Sequence, residues 1–174
     1  MSEPPRRVNY SVGMLLSASD FEAEQEYHRQ MRYLHNRLLH GYGTVLGLDV
    51  SVDDGTNIHV SPGFAIDALG REIIVTEQMS LRLEPLGRDR RWVRDLAIAW
   101  REVPEDPAPS LDGPVTFSRW IEEPELSLVL PDSPPTSEAL ILARLIGKAR
   151  RGAVDVDATV RRHLGLPSEI PSAE

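Results

Sequence analysis

The sequence predicts an α+β fold: one long N-terminal amphipathic helix packed on a mainly antiparallel β-sheet or sandwich, with a short helix near the C-terminus. Three observations carry that expectation. Apolar residues recur at threes and fours across residues 19–40, the period drops to two from residue 44 onward, and turn-forming residues separate the alternating stretches. The division that follows is an N-terminal arm over residues 1–18, a single domain over 19–166 and a tail over 167–174, with no repeat period and no second domain.

The arm is polar and proline-bearing until "VGMLL", where Val12, Met14, Leu15 and Leu16 make a short apolar patch. Next, "SDFEAEQEYHRQMRYLHNRLLHG" carries helix signals: Ser19 with Glu22 as a capping box, acids in the first turns, arginines in the last and Gly41 as a closing glycine. Phe21, Tyr27, His28, Met31, Leu34, His35, Leu38 and Leu39 fall on one helical face, which is expected to be buried against the sheet. The alternating segments "TVLGLDVSVDD", "NIHVSPGFAID" and "REIIVTE" read as a meander with turns at "DDGTN" and "DALGRE". "MSLRLEP" adds a short strand, and "RWVRDLAIAWREV" a longer one with Leu96, Ile98 and Trp100 on one side. "PEDPAPSLDGP" reads as a long exposed loop, "SLVL" as a strand, "EALILARLIG" as a strand with a short helix as the alternative, since periodicity alone does not decide so short a run, and "DVDATVRRHLG" as a brief helix capped by Asp157 or Asp155 and closed by Gly165.

Composition narrows the function. With 27 acidic against 19 basic residues and a net charge of −8, a general nucleic-acid-binding surface is not expected. Arg88, Arg90, Arg91 and Arg94, and the run Lys148 to Arg151, are read as solvated surface. The absence of cysteine excludes disulfides, thiolate metal sites and cysteine nucleophiles. The start "MSEPPRRVNY" has no apolar h-region and no apolar run is long enough to span a bilayer, so cytosolic synthesis without membrane insertion is expected.

Four groups of residues are of types that could carry chemistry. Gly41, Gly43 and Gly47 approach a dinucleotide-binding spacing, but here a helix precedes the loop and a strand follows it, so the loop faces the negative end of the helix dipole. A turn is the better reading, and Gly41→Ala is expected to cost about 1 kcal/mol. His28 and His35 lie seven residues apart, about 10.5 Å along a helix, too far to share one ion. Glu24 and His28 read as a simple i,i+4 hydrogen bond, and His59 and His163 are isolated. Ser61 in "VSPGFAID" lacks a nucleophile elbow, and a carboxylate pair converging for glycoside hydrolysis is not identifiable from 27 acids. No enzyme, cofactor or metal is expected.

The stretch "NYSVGMLLSASDFEAEQEYHRQMRYLHNRLLHGYGTVLGLDV" followed by "VSPGFAIDALGREIIV" resembles proteins encoded with contractile phage tails and extracellular contractile injection systems. A G-x-L-L arm, a D-F-x-x-E-Q-x-Y-H-R helix, an L-H-N-R-x-L-H-G-x-G turn and a P-G-x-A-I-D-x-x-G-R-E-I hairpin follow one another, over about two fifths of the chain. Residues 44–76 are also similar to attachment domains of tail fibres and baseplate appendages. The resemblance implies a structural or adaptor part of such a particle, present in several copies and bound to baseplate, tube or fibre proteins, made in the cytoplasm and then part of the particle. Gly41, Gly43, Pro62, Gly63 and Gly70 would shape turns, and Val12, Met14, Leu15 and Leu16 would be the docking patch. The alternative is a small-molecule or carbohydrate-binding module.

Overall fold

The computed structural model describes residues 4–53, 57–83, 91–108, 116–131, 138–147 and 153–165. The run at Lys148 to Arg151, Arg88 and Arg90, most of the "DDGTN" turn and the tail 167–174 lie outside the described residues. The architecture is α+β: α1 (Ala18–His35), then, among the described residues, twelve strands in antiparallel pairings. The cap of α1 is Ser17, two residues before the one expected. Ser17 N–H and Oγ both donate to the Asp20 carboxylate, at 2.8 and 2.7 Å. Ser17/Asp20 and Ser19/Glu22 have the same spacing, so sequence alone does not separate them.

The far end of the helix also differs from an ordinary glycine cap. Residues Asn36–His40 widen into a π-turn, and Gly41 N–H bonds to Asn36 O at 2.9 Å. Gly41 itself sits at φ 82° and ψ −148°, outside the left-handed helical region and in territory nearly confined to glycine. Gly41→Ala should therefore lower unfolding free energy by about 1–3 kcal/mol, measured by urea denaturation.

Residues 43–82 form the meander, folded over a corner. β1 (Gly43–Gly47) and β2 (Val50–Asp53) are two halves of one bent strand, as are β3 (Asn57–Val60) with β4 (Gly63–Ile66) and β5 (Glu72–Val75) with β6 (Met79–Arg82). The halves pair separately, in the orders β1-β4-β5 and β2-β3-β6. Across the bend, Leu48 N–H donates to Pro62 O and Ser61 N–H to Asp49 O. Leu48 takes the rare φ of 58° while wholly buried, so its burial offsets local backbone strain.

A second sheet has the order β10-β7-β11-β12, from β7 (Trp92–Ala99), β10 (Glu125–Val129), β11 (Ala139–Gly147) and β12 (Val154–Asp157). The core lies between the layers: Ile58, Val60, Ile73 and Val75 of the meander meet Leu96, Ile98, Leu140, Leu142 and Leu145. "EALILARLIG" is thus a strand. β8 (Glu102–Ala108) and β9 (Thr116–Glu122) continue β7 and β10 as a two-stranded arm of the sheet. The "PEDPAPSLDGP" segment, expected as loop, supplies β8 up to Ala108; its prolines are tolerated because the ribbon pairs on one side only.

The expected short C-terminal helix is present as a 3-10 turn, Ala158–Val160, shorter than the segment suggested because Val154–Asp157 form β12. Asp157 caps that turn, accepting from Thr159 N–H at 2.9 Å. Beyond it the chain runs extended beside β1, with Thr44 N–H on Arg162 O and Leu164 N–H on Thr44 O. The alternation in "VDVD" reads equally well as strand, and pairing with Arg144–Gly147 decides it. Within this segment Arg161 is buried, and its guanidinium reaches Leu142 O, Gly47 O and Leu48 O.

Candidate assembly surface

Polar clips, rather than a buried apolar face, hold α1 to the sheet. No residue of the helix is buried, which corrects the expectation drawn from its periodicity; Phe21 and Leu38 are more than half exposed. Asn36, just past the helix, is buried and donates from Nδ2 to Gly70 O and Glu72 Oε1, both at 2.9 Å. Arg32 pairs with Glu72 at 3.0 Å and Arg29 with Glu102 at 3.3 Å. Gly70 lies so close to the helix that a Cβ would run into the Tyr33 carbonyl. The turn carrying Gly70 is itself rigid. The buried Asp67 carboxylate accepts from Leu69 and Arg71 N–H and from Arg71 Nε, and the Arg71 guanidinium stacks over Trp100 at 4.6 Å. The motif "AIDALGREI" thus builds a platform for the helix end. Sequence reasoning named Gly70 as a turn residue; Asn36 and Asp67 stood within the quoted motifs but were given no role.

With the helix held by these contacts, Phe21 and, just beyond its end, Leu38 and Leu39 remain exposed, while Tyr27, Met31 and Leu34 are half-buried. In the arm, Val12 is wholly exposed and Leu15 is 93% exposed, with Met14 and Leu16 partly so. A second group, Leu38, Leu39, Tyr42 and Leu46, lies at the other end of the helix. Leu46 pairs across the sheet with Phe64, and Phe64 with Ile74, continuing that group over the outer face of the meander. The two groups are separated by roughly 30 Å, from the rise per helical residue. Between arm and helix lies an open groove of about 630 Å³, where Pro4, Pro5 and Arg6 approach Tyr27, Leu34 and Leu69. Exposed apolar patches of this kind mark contact surfaces.

Two arrangements resemble chemical sites. His28 lies at the surface, 3.1 Å from Glu24 Oε1, and among the described residues no three His, Asp or Glu side chains gather into a metal site. More suggestive by residue type, His59 Nδ1 is 2.9 Å from Ser80 Oγ and His59 Nε2 is 3.2 Å from Asp53 Oδ2. The sheet register creates this chain: His59 sits opposite both Ser51 and Ser80. Gln78 competes for the same Nδ1 at 3.2 Å, and Asp53 is also engaged by Asn57 N–H and Nδ2. Ser80 opens on an exposed sheet face, whereas acyl transfer needs donors around a bound carbonyl. The cluster is a cross-strand polar ladder.

Three exposed carboxyls have lowered pKa values: Asp20 through the Ser17 hydroxyl and N–H, Asp53 through the Asn57 and His59 side chains, and Asp157 through the Thr159 hydroxyl and N–H. Because the folded values are depressed, the stabilisation they give is complete above the unfolded Asp pKa and disappears as pH falls through the folded values. NMR titration should place all three midpoints below the ordinary Asp value, and Ser17→Ala should return Asp20 toward it.

No family model matches the chain, and no curated protein matches it. Among solved structures it is similar to a chain of the type VI secretion system TssK-TssF-TssG baseplate subcomplex, with a TM-score of 0.57 at 14% identity over 88% of this chain and 60% of that one. It is similar also to a chain of the baseplate complex from the type VI secretion system (TM-score 0.55, 12% identity, 89% and 58%) and to the crystal structure of TssK (TM-score 0.52, 14% identity, 88% and 41%). The chain therefore spans between two fifths and three fifths of the length of these proteins. Over nearly all its length, it shares its fold with baseplate proteins of a contractile injection system.

Proposed function

We propose that the chain is a non-enzymatic structural or adaptor component of a contractile, phage-tail-like injection particle. It would dock on baseplate or tail proteins, in several copies, and serve as an attachment point for fibres. The observation that carries this reading is the fold shared across 88% of the chain with a baseplate subcomplex. The sequence resemblance in residues 9–76 and the uncovered apolar arm point the same way. Docking would use Val12, Met14, Leu15 and Leu16, which α1 projects from its N-terminal end.

The test is co-purification. A tagged chain expressed in its own cells with the particle genes should sediment with assembled particles at a fixed ratio to sheath protein. A chain absent from purified particles, yet binding a nucleotide or a glycan stoichiometrically, would replace this reading with that of a ligand-binding module.

A further inference from the structure

At the root of the β8–β9 ribbon, the edge of β5 and the segment leading into β10 enclose a second open groove, of about 680 Å³. Its floor is apolar. Ile74 is 52% exposed and Ile121 is 40% exposed, with Val103 and Trp100 half-buried beside them. Its rim is acidic: Glu77, Glu105, Glu122 and Glu123 line it, together with Glu72, and no Lys, Arg or His among the described residues does. Glu72 is neutralised by Arg32, but among the described residues the other four form no ion pair. One cation, Arg119, stands opposite Glu105 across the ribbon, but the remaining excess of carboxylates around an apolar cleft creates a field that attracts a cationic segment, and the floor selects one that is also apolar.

The chain carries such a segment. In "PPRRVNYSVGMLL" two arginines, Arg6 and Arg7, precede Val8, Tyr10, Val12 and Leu15. Neither arginine forms an ion pair among the described residues, and Val12 and Leu15 touch almost nothing in their own chain. Pro4, Pro5 and Arg6 rest along α1 in the first groove, so the arm does not fill the acidic groove of its own chain.

We propose that the acidic groove receives the arm of a second copy of this chain. Arg6 and Arg7 would face Glu105, Glu122 and Glu123, and an apolar side chain from residues 8–15 would cover Ile74 and Ile121. Ten extended residues reach about 33–36 Å, enough to cross the cleft. The inference deepens the assembly reading and rests on its assignment of the arm as the docking element. Arm and groove are different surfaces, so the contact is head-to-tail and produces a ring, or an open row where the rotation does not close.

The experiment is sedimentation of the full chain over a concentration series at low and high salt. The wild-type chain should self-associate reversibly and more weakly as salt rises. R6E/R7E and E122R/E123R should each weaken association tenfold or more, while an equimolar mixture of the two recovers it, because each variant supplies the element the other lacks. All four positions are exposed, and R6Q/R7Q with E122Q/E123Q give the milder form of the same comparison, with smaller losses expected. A wild-type chain that stays monomeric, variants that associate as the wild type does, or a mixture that recovers nothing each overturn the proposal. Failure of the assembly reading is distinct: a chain that self-associates in this pattern but never enters particles would overturn that reading and leave this one standing.

Discussion

Arg161→Met is expected to lower the unfolding free energy by about 3–5 kcal/mol, a large share of what holds an ordinary domain together. Arg161 is a buried cation whose one ion-pair partner among the described residues, Asp49, is 3.4 Å away and largely exposed. Backbone carbonyls satisfy it instead: Leu48 O at 2.6 Å, Leu142 O at 2.9 Å and Gly47 O at 3.2 Å. Two of these belong to the corner where the first meander strand bends, and the third to the central strand of the opposing sheet. The side chain therefore fixes the bend and joins the two layers at once. Methionine fills much of the volume but leaves three carbonyls without their donor, two of them in bonds that are buried. Arg161→Lys should fall between, since an ammonium lacks the planar fork that meets several acceptors together. Urea unfolding with an unchanged m-value is the measurement, and a loss below about 0.5 kcal/mol would show that the carbonyls find other partners.

That residue also marks where sequence reading stops. The meander was legible because the period-two segments and their turns are local, and "ALILARLIG" favours a strand because Ile141 and Leu142 run on into "LARLIG". The corner was not: a leucine at positive φ has no signature in sequence, and the arginine that holds it is 113 residues away. The helix was located correctly, yet its apolar period suggested a buried face that the structure leaves open, because Asn36, Arg32 and Arg29 dock it through polar contacts. β9 was missed for a related reason. "TFSRWIE" is exposed on both faces, so no apolar alternation announces it, and its partner β8 contains Pro104 and Pro107. Of the candidate surface, the arm could be read from "VGMLL" alone. The acidic groove could not, since it brings residues 72–79 together with 100–105 and 121–124.

Deleting residues 1–16 should leave the melting temperature of the dilute chain nearly unchanged and abolish its incorporation into particles. The cut spares Ser17, so the cap on Asp20 and the start of α1 survive. Every described arm residue is exposed except half-buried Val8, which leaves little packing to lose. Pro4, Pro5 and Arg6 line an open groove beside the helix and are not part of the core. Dilution matters, because any association of copies through the arm would make the melt depend on concentration. Function should respond differently. Val12 and Leu15 expose apolar surface that water disfavours, and removing them removes the proposed docking element. The pair Val12→Asp and Leu15→Asp, within the full chain, should reproduce the loss of incorporation with the same melt, separating docking chemistry from chain length. A truncated chain that melts much lower yet still enters particles would show that the arm seals its own domain and that the particle is held elsewhere.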